Sequence, residues 1–308
     1  MSQSTAEAVP PSILCFGEVL WDVFDGQEVI GGAPFNVAAH LARLGVHAFI
    51  YSRVGGDRRG AKIRDQAARF GVSDRWLQQD AARPTGWVDI ELDASGQPNF
   101  RIGPNAAWDH IGPPTAAAIR ELQATGFSAI VCGTLAARSP ISRAALAAVR
   151  AGMPRVPVFY DVNLRGSETP IERVREILPQ VSVLKVNAEE AGQLARALFG
   201  RTMTCADLFL QLRQLNGISQ LLCTRGEEGC EVLAADRTFS SRPDRVDVVS
   251  AVGAGDAFSA AFLAGLVKGR SLERAAADAN LLGAYVASSR ETIPEYSEAL
   301  RARLSNLP

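Results

Sequence analysis

The chain has 308 residues, 47% of them hydrophobic and 21% charged, long enough to bury a large core in one or two domains. Lys+Arg number 32 against 33 Asp+Glu, a formal net charge of -1, so there is no broad basic field to hold nucleic acid and no charged interaction tail. No apolar run reaches the ~18 residues of a membrane helix; the longest, residues 257–267, reads as a buried helix of middle length.

Residues 1–11 are polar, lack the basic start and apolar stretch of a secretory signal, and read as a flexible tail. Short apolar runs then recur at 13–16, 48–53, 129–132, 156–160, 183–186 and 221–224. Helical patterns fall between them at 36–44, 61–70, 114–124, 139–150, 171–178, 188–198 and 205–215. Continuous apolar strands separated by helices predict an α/β protein with a mostly parallel sheet covered on both faces.

One region breaks this rhythm. Trp87, Asp89 and Glu91 interleave with Val88, Ile90 and Leu92, the turn Asp93-Ala94-Ser95-Gly96 follows, and a second short strand covers 99–102. That is a hairpin with one solvated face. A second extended stretch, 23–30, turns at Asp25-Gly26. Together they predict a small β lid, 23–30 and 86–102, on a core of 12–22, 31–85 and 103–308. Such a flap closes over a site or offers a homodimer contact.

The five cysteines (Cys15, Cys132, Cys205, Cys223, Cys230) are odd in number and show no CxxC spacing, so they read as buried, reduced thiols. None of the three histidines (His40, His47, His110) has metal-ligand spacing, which argues against a zinc or iron site. The expectation is a reduced, cytoplasmic protein.

In an open parallel sheet, ligands bind beyond the carboxyl ends of the strands. The residues just past the apolar runs are Gly17-Glu18 and Asp22, Gly55-Gly56-Asp57, Gly133-Thr134, Asp161 to Arg165, Asn187 with Glu190, and Thr224-Arg225-Gly226. Such a rim suits a polyhydroxylated ligand together with an anion.

The strongest local motif is Gly253-Ala254-Gly255-Asp256, opening a helix rich in small residues that ends near Gly269. A glycine turn at a helix start leaves backbone N–H groups free for a phosphate or for charge building on a transferred phosphoryl group. Asp256 beside that anion suits a proton acceptor for an attacking hydroxyl; the alternative is a simple helix cap. Gly31-Gly32-Ala33-Pro34-Phe35-Asn36 leads into another helix, where Asn36 could equally be a cap. Neither a Walker A loop nor a GxGxxG after the first strand is present.

In order, Gly-Gly-x-x-x-Asn, Gly-Gly-Asp, Asn-x-x-Glu and Gly-Ala-Gly-Asp resemble the ribokinase-like (PfkB) carbohydrate kinases over residues 13–294. Gly17-Glu18-Val19-Leu20-Trp21-Asp22, the Gly-Gly-Ala-Pro variant and Asp161-Val162-Asn163-Leu164-Arg165 look most like fructokinases. The resemblance implies a Rossmann-like three-layer α/β/α core with a β lid and an ATP-dependent sugar kinase acting with Mg²⁺. It implies sugar contacts from Asp22, Gly32 and Asn36, catalysis by Asp256, and an anion hole from Gly253, Ala254 and Gly255. It further implies nucleotide contacts from Asn187, Thr224, Gly226 and Asn280, a phosphate partner in Arg165, and Mg²⁺ held through water by Glu190. Fructose is the implied acceptor, with 2-keto-3-deoxygluconate, ribose and nucleosides as rivals; a non-catalytic sugar- or nucleotide-binding regulator is the reading from another class. Ser250 stands where relatives often carry a carboxylate, and Glu291 near where they carry a glycine, which argues against activation by a monovalent cation.

Overall fold

The computed structural model describes residues 10–24, 26–92 and 98–305. Most of the expected tail, the turn residue Asp25 and the turn at 93–96 lie outside the described residues. The strands are β1 Ser12–Phe16, β2 Leu20–Phe24, β3 Gln27–Gly31, β4 His47–Gly55, β5 Ser73–Asp80, β6 Gly86–Leu92, β7 Pro98–Ile102, β8 Phe127–Gly133, β9 Val158–Asp161, β10 Val183–Asn187, β11 Gln220–Thr224, β12 Cys230–Ala234 and β13 Thr238–Ser241. The α-helices are α1 Ala33–Arg43, α2 Arg58–Phe70, α3 Ala116–Thr125, α4 Pro140–Gly152, α5 Ile171–Ile177, α6 Ala188–Phe199, α7 Cys205–Asn216, α8 Ala254–Val267, α9 Leu272–Ala287 and α10 Glu298–Ser305.

Nine strands form the main sheet in the order β13-β12-β11-β10-β9-β8-β1-β4-β5. From β11 to β5 every pairing is parallel, and β12 and β13 add an antiparallel edge. Successive residues of β1 show why these strands read as unbroken apolar runs. Ile13 and Cys15 face a core that includes Phe35 and Leu41 of α1 and Phe258 and Phe262 of α8. Leu14 and Phe16 face the opposite core with Leu146 of α4, Leu194 of α6 and Leu208 of α7. With both faces covered, no position on the strand is free to be polar. The result is the three-layer α/β/α arrangement expected from the sequence.

The lid is a separate four-stranded sheet, β3-β2-β6-β7. It is mixed: β2 pairs with β3 and β6 with β7 antiparallel, while β2 and β6 run parallel. Its first strand starts at Leu20, ahead of the expected 23, so Trp21 and Asp22 are part of the lid sheet. Leu20, Trp21, Ile30 and Val88 are buried beneath it, and the Trp21 indole N–H donates to the Arg59 carbonyl at 3.2 Å. In the described part of β6, Val88 is buried between Trp87 and Asp89, which are both half-buried.

Candidate active site

The parallel register gathers the polar rim at one edge of the main sheet. Gly133 pairs with Asp161, Asp161 with Lys185, and Asn187 with Thr224. The starts of α1 and α8 meet the same edge, because α1 and α8 pack against each other on one face of the sheet.

Helix α8 begins at a backbone position that only glycine fills easily. Gly253 caps it at φ 81°, and a Cβ there would lie 3.0 Å from the Thr292 Cβ. The Ala254 N–H donates to the Ala251 carbonyl at 3.3 Å, and the Gly255 and Asp256 N–H groups that follow have no carbonyl partner within the helix and lie at the positive end of its dipole. Asp256 is the third residue of α8 and makes no cap; the cap position belongs to Gly253.

Asp256 is held from across the molecule. Helix α1 is capped by Gly32 at φ 102°, where a Cβ would come within 2.5 Å of the Glu18 carbonyl oxygen. Asn36 therefore lies one turn inside α1 and is not its cap. Its Nδ2 donates to Asp256 Oδ2 at 2.8 Å, and its own Oδ1 is buried with no hydrogen-bond partner among the described residues. Burial pushes the Asp256 carboxyl up to about 6. The Asn36 hydrogen bond and the Lys185 and Arg165 charges pull it down, while the Asp161 charge raises it.

Two further buried carboxyl groups share an electrostatic partner with Asp256, the Arg165 charge. Burial raises Asp22, on β2, to about 6, against the pull of Arg165. Burial raises Glu18, just past β1, to about 7. The Glu18 carboxyl is also within electrostatic reach of Arg165 and Asp256, and its Oε2 has no hydrogen-bond partner among the described residues. Arg165 is exposed, and its charge acts on Glu18, Asp22 and Asp256 alike. The guanidinium expected beside a phosphate thus stands within electrostatic reach of the carboxylates around Asp256.

The remaining candidates form a second cluster. Asn187 caps α6 and exchanges hydrogen bonds with Glu190: Asn187 Oδ1 accepts from the Glu190 N–H and Glu190 Oε2 from the Asn187 N–H, each at 2.8 Å. Glu190 Oε1 accepts from the Leu164 N–H at 2.8 Å, tying the 162–165 loop to α6. Burial, then the Asp161 charge, lifts the Glu190 pKa. Thr224 ends β11, and Gly226 opens a short 3₁₀ turn at φ 57°. Asn280, buried on α9, donates to the Ser241 carbonyl at 2.9 Å and lies 3.6 Å from Cys230 Sγ. Cys230 is the register partner of Thr224, so Asn280, Thr224 and Asn187 form a row across the edge.

Sequence reasoning missed Lys185. Its ammonium is buried and lies 3.0 Å from both oxygens of Asp161, whose Oδ2 also accepts from Ser259 Oγ at 3.0 Å. A Cβ on Gly255 would come within 3.2 Å of Lys185 Nζ, so this charge sits directly behind the glycine turn. Burial opposes the ammonium, but Asp161, Glu190 and Asp256 outweigh it and keep its pKa above the ordinary lysine value. The signal was a lysine inside the apolar run Val183-Leu184-Lys185-Val186, a position where a charge needs a buried partner.

A glycine-capped helix start, an adjacent buried carboxylate and a fixed cation behind the turn can bind an anion and take a proton beside it. The pfkB family carbohydrate kinase model matches residues 5–299. The chain belongs to the pfkB family of carbohydrate kinases. It is a sugar kinase on a ribokinase-like fold. Fructokinase-1 of Oryza sativa subsp. japonica is 29% identical over 279 residues, 86% of this chain and 84% of that protein. A sugar kinase of Pyrococcus horikoshii is 25% identical over 289 residues, 87% of this chain and 86% of that protein. Among solved structures, a Xylella fastidiosa fructokinase with bound ATP superposes with TM-score 0.80 at 22% identity, over 92% of this chain and 94% of that one. That fructokinase shares this chain's fold.

Proposed function

We propose that the chain transfers the γ-phosphoryl group of ATP to a primary hydroxyl of a neutral sugar, converting D-fructose to fructose 6-phosphate. The observation that carries this reading is Asp256, held by Asn36 at 2.8 Å beside the open first turn of α8. The sugar hydroxyl oxygen attacks the γ-phosphorus as its proton passes to an Asp256 carboxylate oxygen. The bond from the γ-phosphorus to the β–γ bridging oxygen breaks, and ADP leaves. The N–H groups of the Gly253–Asp256 turn receive the charge on the transferred group, and Lys185 reinforces the positive field there. The lid excludes water, so that ATP is not hydrolysed in place of transfer.

Magnesium fits the second cluster. Each Glu190 oxygen accepts one backbone N–H, which leaves a lone pair on each for a metal-bound water. Glu190, with Asn187 beside it, would hold Mg²⁺ through water, and the ion would draw charge from the β- and γ-phosphates. Thr224, Gly226 and Asn280 would receive the rest of the nucleotide, and Asp22, Gly32 and Asn36 the sugar.

The acceptor class follows from charge. The Arg165 charge acts on all three carboxyl groups, Glu18, Asp22 and Asp256, and the Lys185 charge on Asp256 as well. Acceptor oxygens such as Glu18 Oε2 and Asn36 Oδ1, buried without donors, suit hydroxyl groups. A sugar acid would add negative charge beside these carboxyl groups, so a neutral sugar is preferred over 2-keto-3-deoxygluconate. ATP consumption measured against D-fructose, 2-keto-3-deoxygluconate, D-ribose and a nucleoside tests this: the highest kcat/KM should be with fructose. A preference for the sugar acid would overturn the acceptor assignment, and no turnover with any sugar would favour a binding protein.

A further inference from the structure

Two of the five cysteines meet at the edge of the nucleotide cluster. Cys205 is the first residue of α7, after the Thr204 cap, and Cys223 is the penultimate residue of β11. Helix α7 packs back on β11, and the two Sγ atoms lie 2.7 Å apart. That is well inside ordinary sulfur–sulfur contact and about 0.65 Å beyond the ~2.05 Å of a disulfide bond. Cys223 is fully buried, whereas Cys205 keeps 7% of its surface exposed. The Arg225 guanidinium lies 3.6 Å from Cys205 Sγ and is steadied by Glu231 at 2.9 Å.

This setting divides the roles of the two thiols. The sulfur–sulfur hydrogen bond with Cys223, with Arg225 adding its charge, lowers the Cys205 pKa against the effect of burial. The same hydrogen bond raises that of Cys223. For Cys15, Cys132 and Cys230 burial alone leads, and it pushes each thiol up. A cysteine beside a guanidinium at a helix start, with a second sulfur in reach, combines the features of an oxidisable pair.

We propose that Cys205 and Cys223 are an oxidative modification site that takes a peroxide and closes to a disulfide. The Cys205 thiolate attacks one peroxide oxygen and the O–O bond breaks, leaving Cys205 sulfenic acid and a hydroxide that takes up a proton to become water. Cys223 sulfur then attacks Cys205 sulfur. The hydroxyl of the sulfenic acid departs with the Cys223 proton as a second water. Two thiols are oxidised by two electrons in total, and one peroxide is reduced to two waters. The bond ties the start of α7 to β11 and consumes the Cys205 sulfhydryl that lies 3.6 Å from Arg225, between Thr224 and Gly226. Resting on the reading of those two residues as nucleotide contacts, the modification weakens ATP binding.

The reduced full-length protein, with Cys205→Ser and Cys223→Ser variants, is treated with a modest excess of hydrogen peroxide, alkylated and mapped by mass spectrometry. The wild type should lose two of its five alkylatable thiols and yield one cross-linked peptide pair joining 205 and 223, reversed by dithiothreitol. Cys223→Ser should stop at a sulfenic acid that dimedone traps, and Cys205→Ser should resist the same dose. Five intact thiols in the treated wild type, or a cross-link through another cysteine, would overturn the proposal. In parallel the oxidised wild type should show an ATP KM several-fold higher with the sugar KM unchanged. A confirmed cross-link with unchanged ATP KM would overturn the effect on ATP binding. An unchanged ATP KM in Thr224→Ala would instead mark the nucleotide reading as wrong.

Discussion

Asn36 and Asp256, 220 residues apart in sequence, are joined by one buried hydrogen bond of 2.8 Å between the first turns of two helices. It orients the carboxylate and stabilises its charged form, the form that accepts a proton. Two glycine-capped helices, α1 and α8, must both be in place for it to exist.

Removing this bond should move the pH profile. Burial raises the Asp256 carboxyl from the ordinary 3.8 to about 6, so in the proposed role it would be protonated and unable to take the proton below that pH. The acid limb of kcat/KM, which reports the free enzyme, should therefore fall near pH 6. Asn36→Ala takes away an interaction that lowers the pKa, so the limb should shift upward by roughly half a unit to one unit, since one unit corresponds to about 1.4 kcal/mol. The measurement is kcat/KM against pH for both proteins. A limb that stays in place, or moves down, would show that Asn36 does not act through Asp256.

The sugar side is tested at Asp22. Its carboxylate can accept hydrogen bonds from two hydroxyl groups, each worth roughly 1.5–3 kcal/mol when one partner is charged. Asp22→Ala should raise the sugar KM by on the order of tenfold or more and leave the ATP KM almost unchanged. Equal damage to both constants would assign Asp22 to the stability of the lid sheet.

Lys185 is the cation behind the glycine turn, paired with Asp161 at 3.0 Å. Lys185→Met keeps the length and removes the charge; Asp161 is then left buried without its partner, at a stability cost of about 3–5 kcal/mol. The double variant Lys185→Met with Asp161→Asn removes both charges and should recover much of the lost Tm. Its kcat should nevertheless remain on the order of tenfold or more below wild type. Full recovery of kcat along with Tm would reduce Lys185 to a structural role.

Potassium should activate weakly or not at all. Ser250 offers a neutral hydroxyl, already accepting from the Val252 N–H at 3.3 Å, and Glu291 is exposed. The Thr292 carbonyl is taken by His40 Nε2 at 3.0 Å. Initial rates at fixed ionic strength, with potassium exchanged for tetramethylammonium, should agree within about twofold, well under 1 kcal/mol. A rate several-fold higher in potassium would mean that backbone carbonyls or Glu291 rebuild a cation site.

Much of this was legible before any coordinates, for a physical reason. Buried parallel strands read as unbroken apolar runs, and their ends must lie at one sheet edge, so Asp161, Asn187 and Thr224 could be placed at that edge from pattern alone, whereas Asp22, expected just past the first strand, lies within the lid strand β2. Strand β5 was not legible: Ser73–Asp80 is an edge strand in which few side chains are buried, and its charged residues mask the period. Strands β12 and β13 were passed over as a short hairpin at the other edge, and α9 buries Asp278 and Asn280 where an apolar face would be expected. Lys185 was overlooked because a lysine inside a strand looks like an interruption until its carboxylate partner is seen. The Asn36–Asp256 contact has no local signature at all, since no sequence period spans 220 residues.

The central claim is that Asp256 is the proton acceptor of phosphoryl transfer. The most direct measurement is kcat of Asp256→Asn with saturating sugar and MgATP, together with the Kd for ATP and the melting temperature of the same protein. Asparagine preserves the size of the side chain and removes the basic oxygen. The account predicts a folded protein that binds ATP as tightly as wild type and whose kcat is lower by on the order of 10²-fold or more. A folded Asp256→Asn protein with near-normal kcat would contradict it, and would return Asp256 to a role in the architecture of α8.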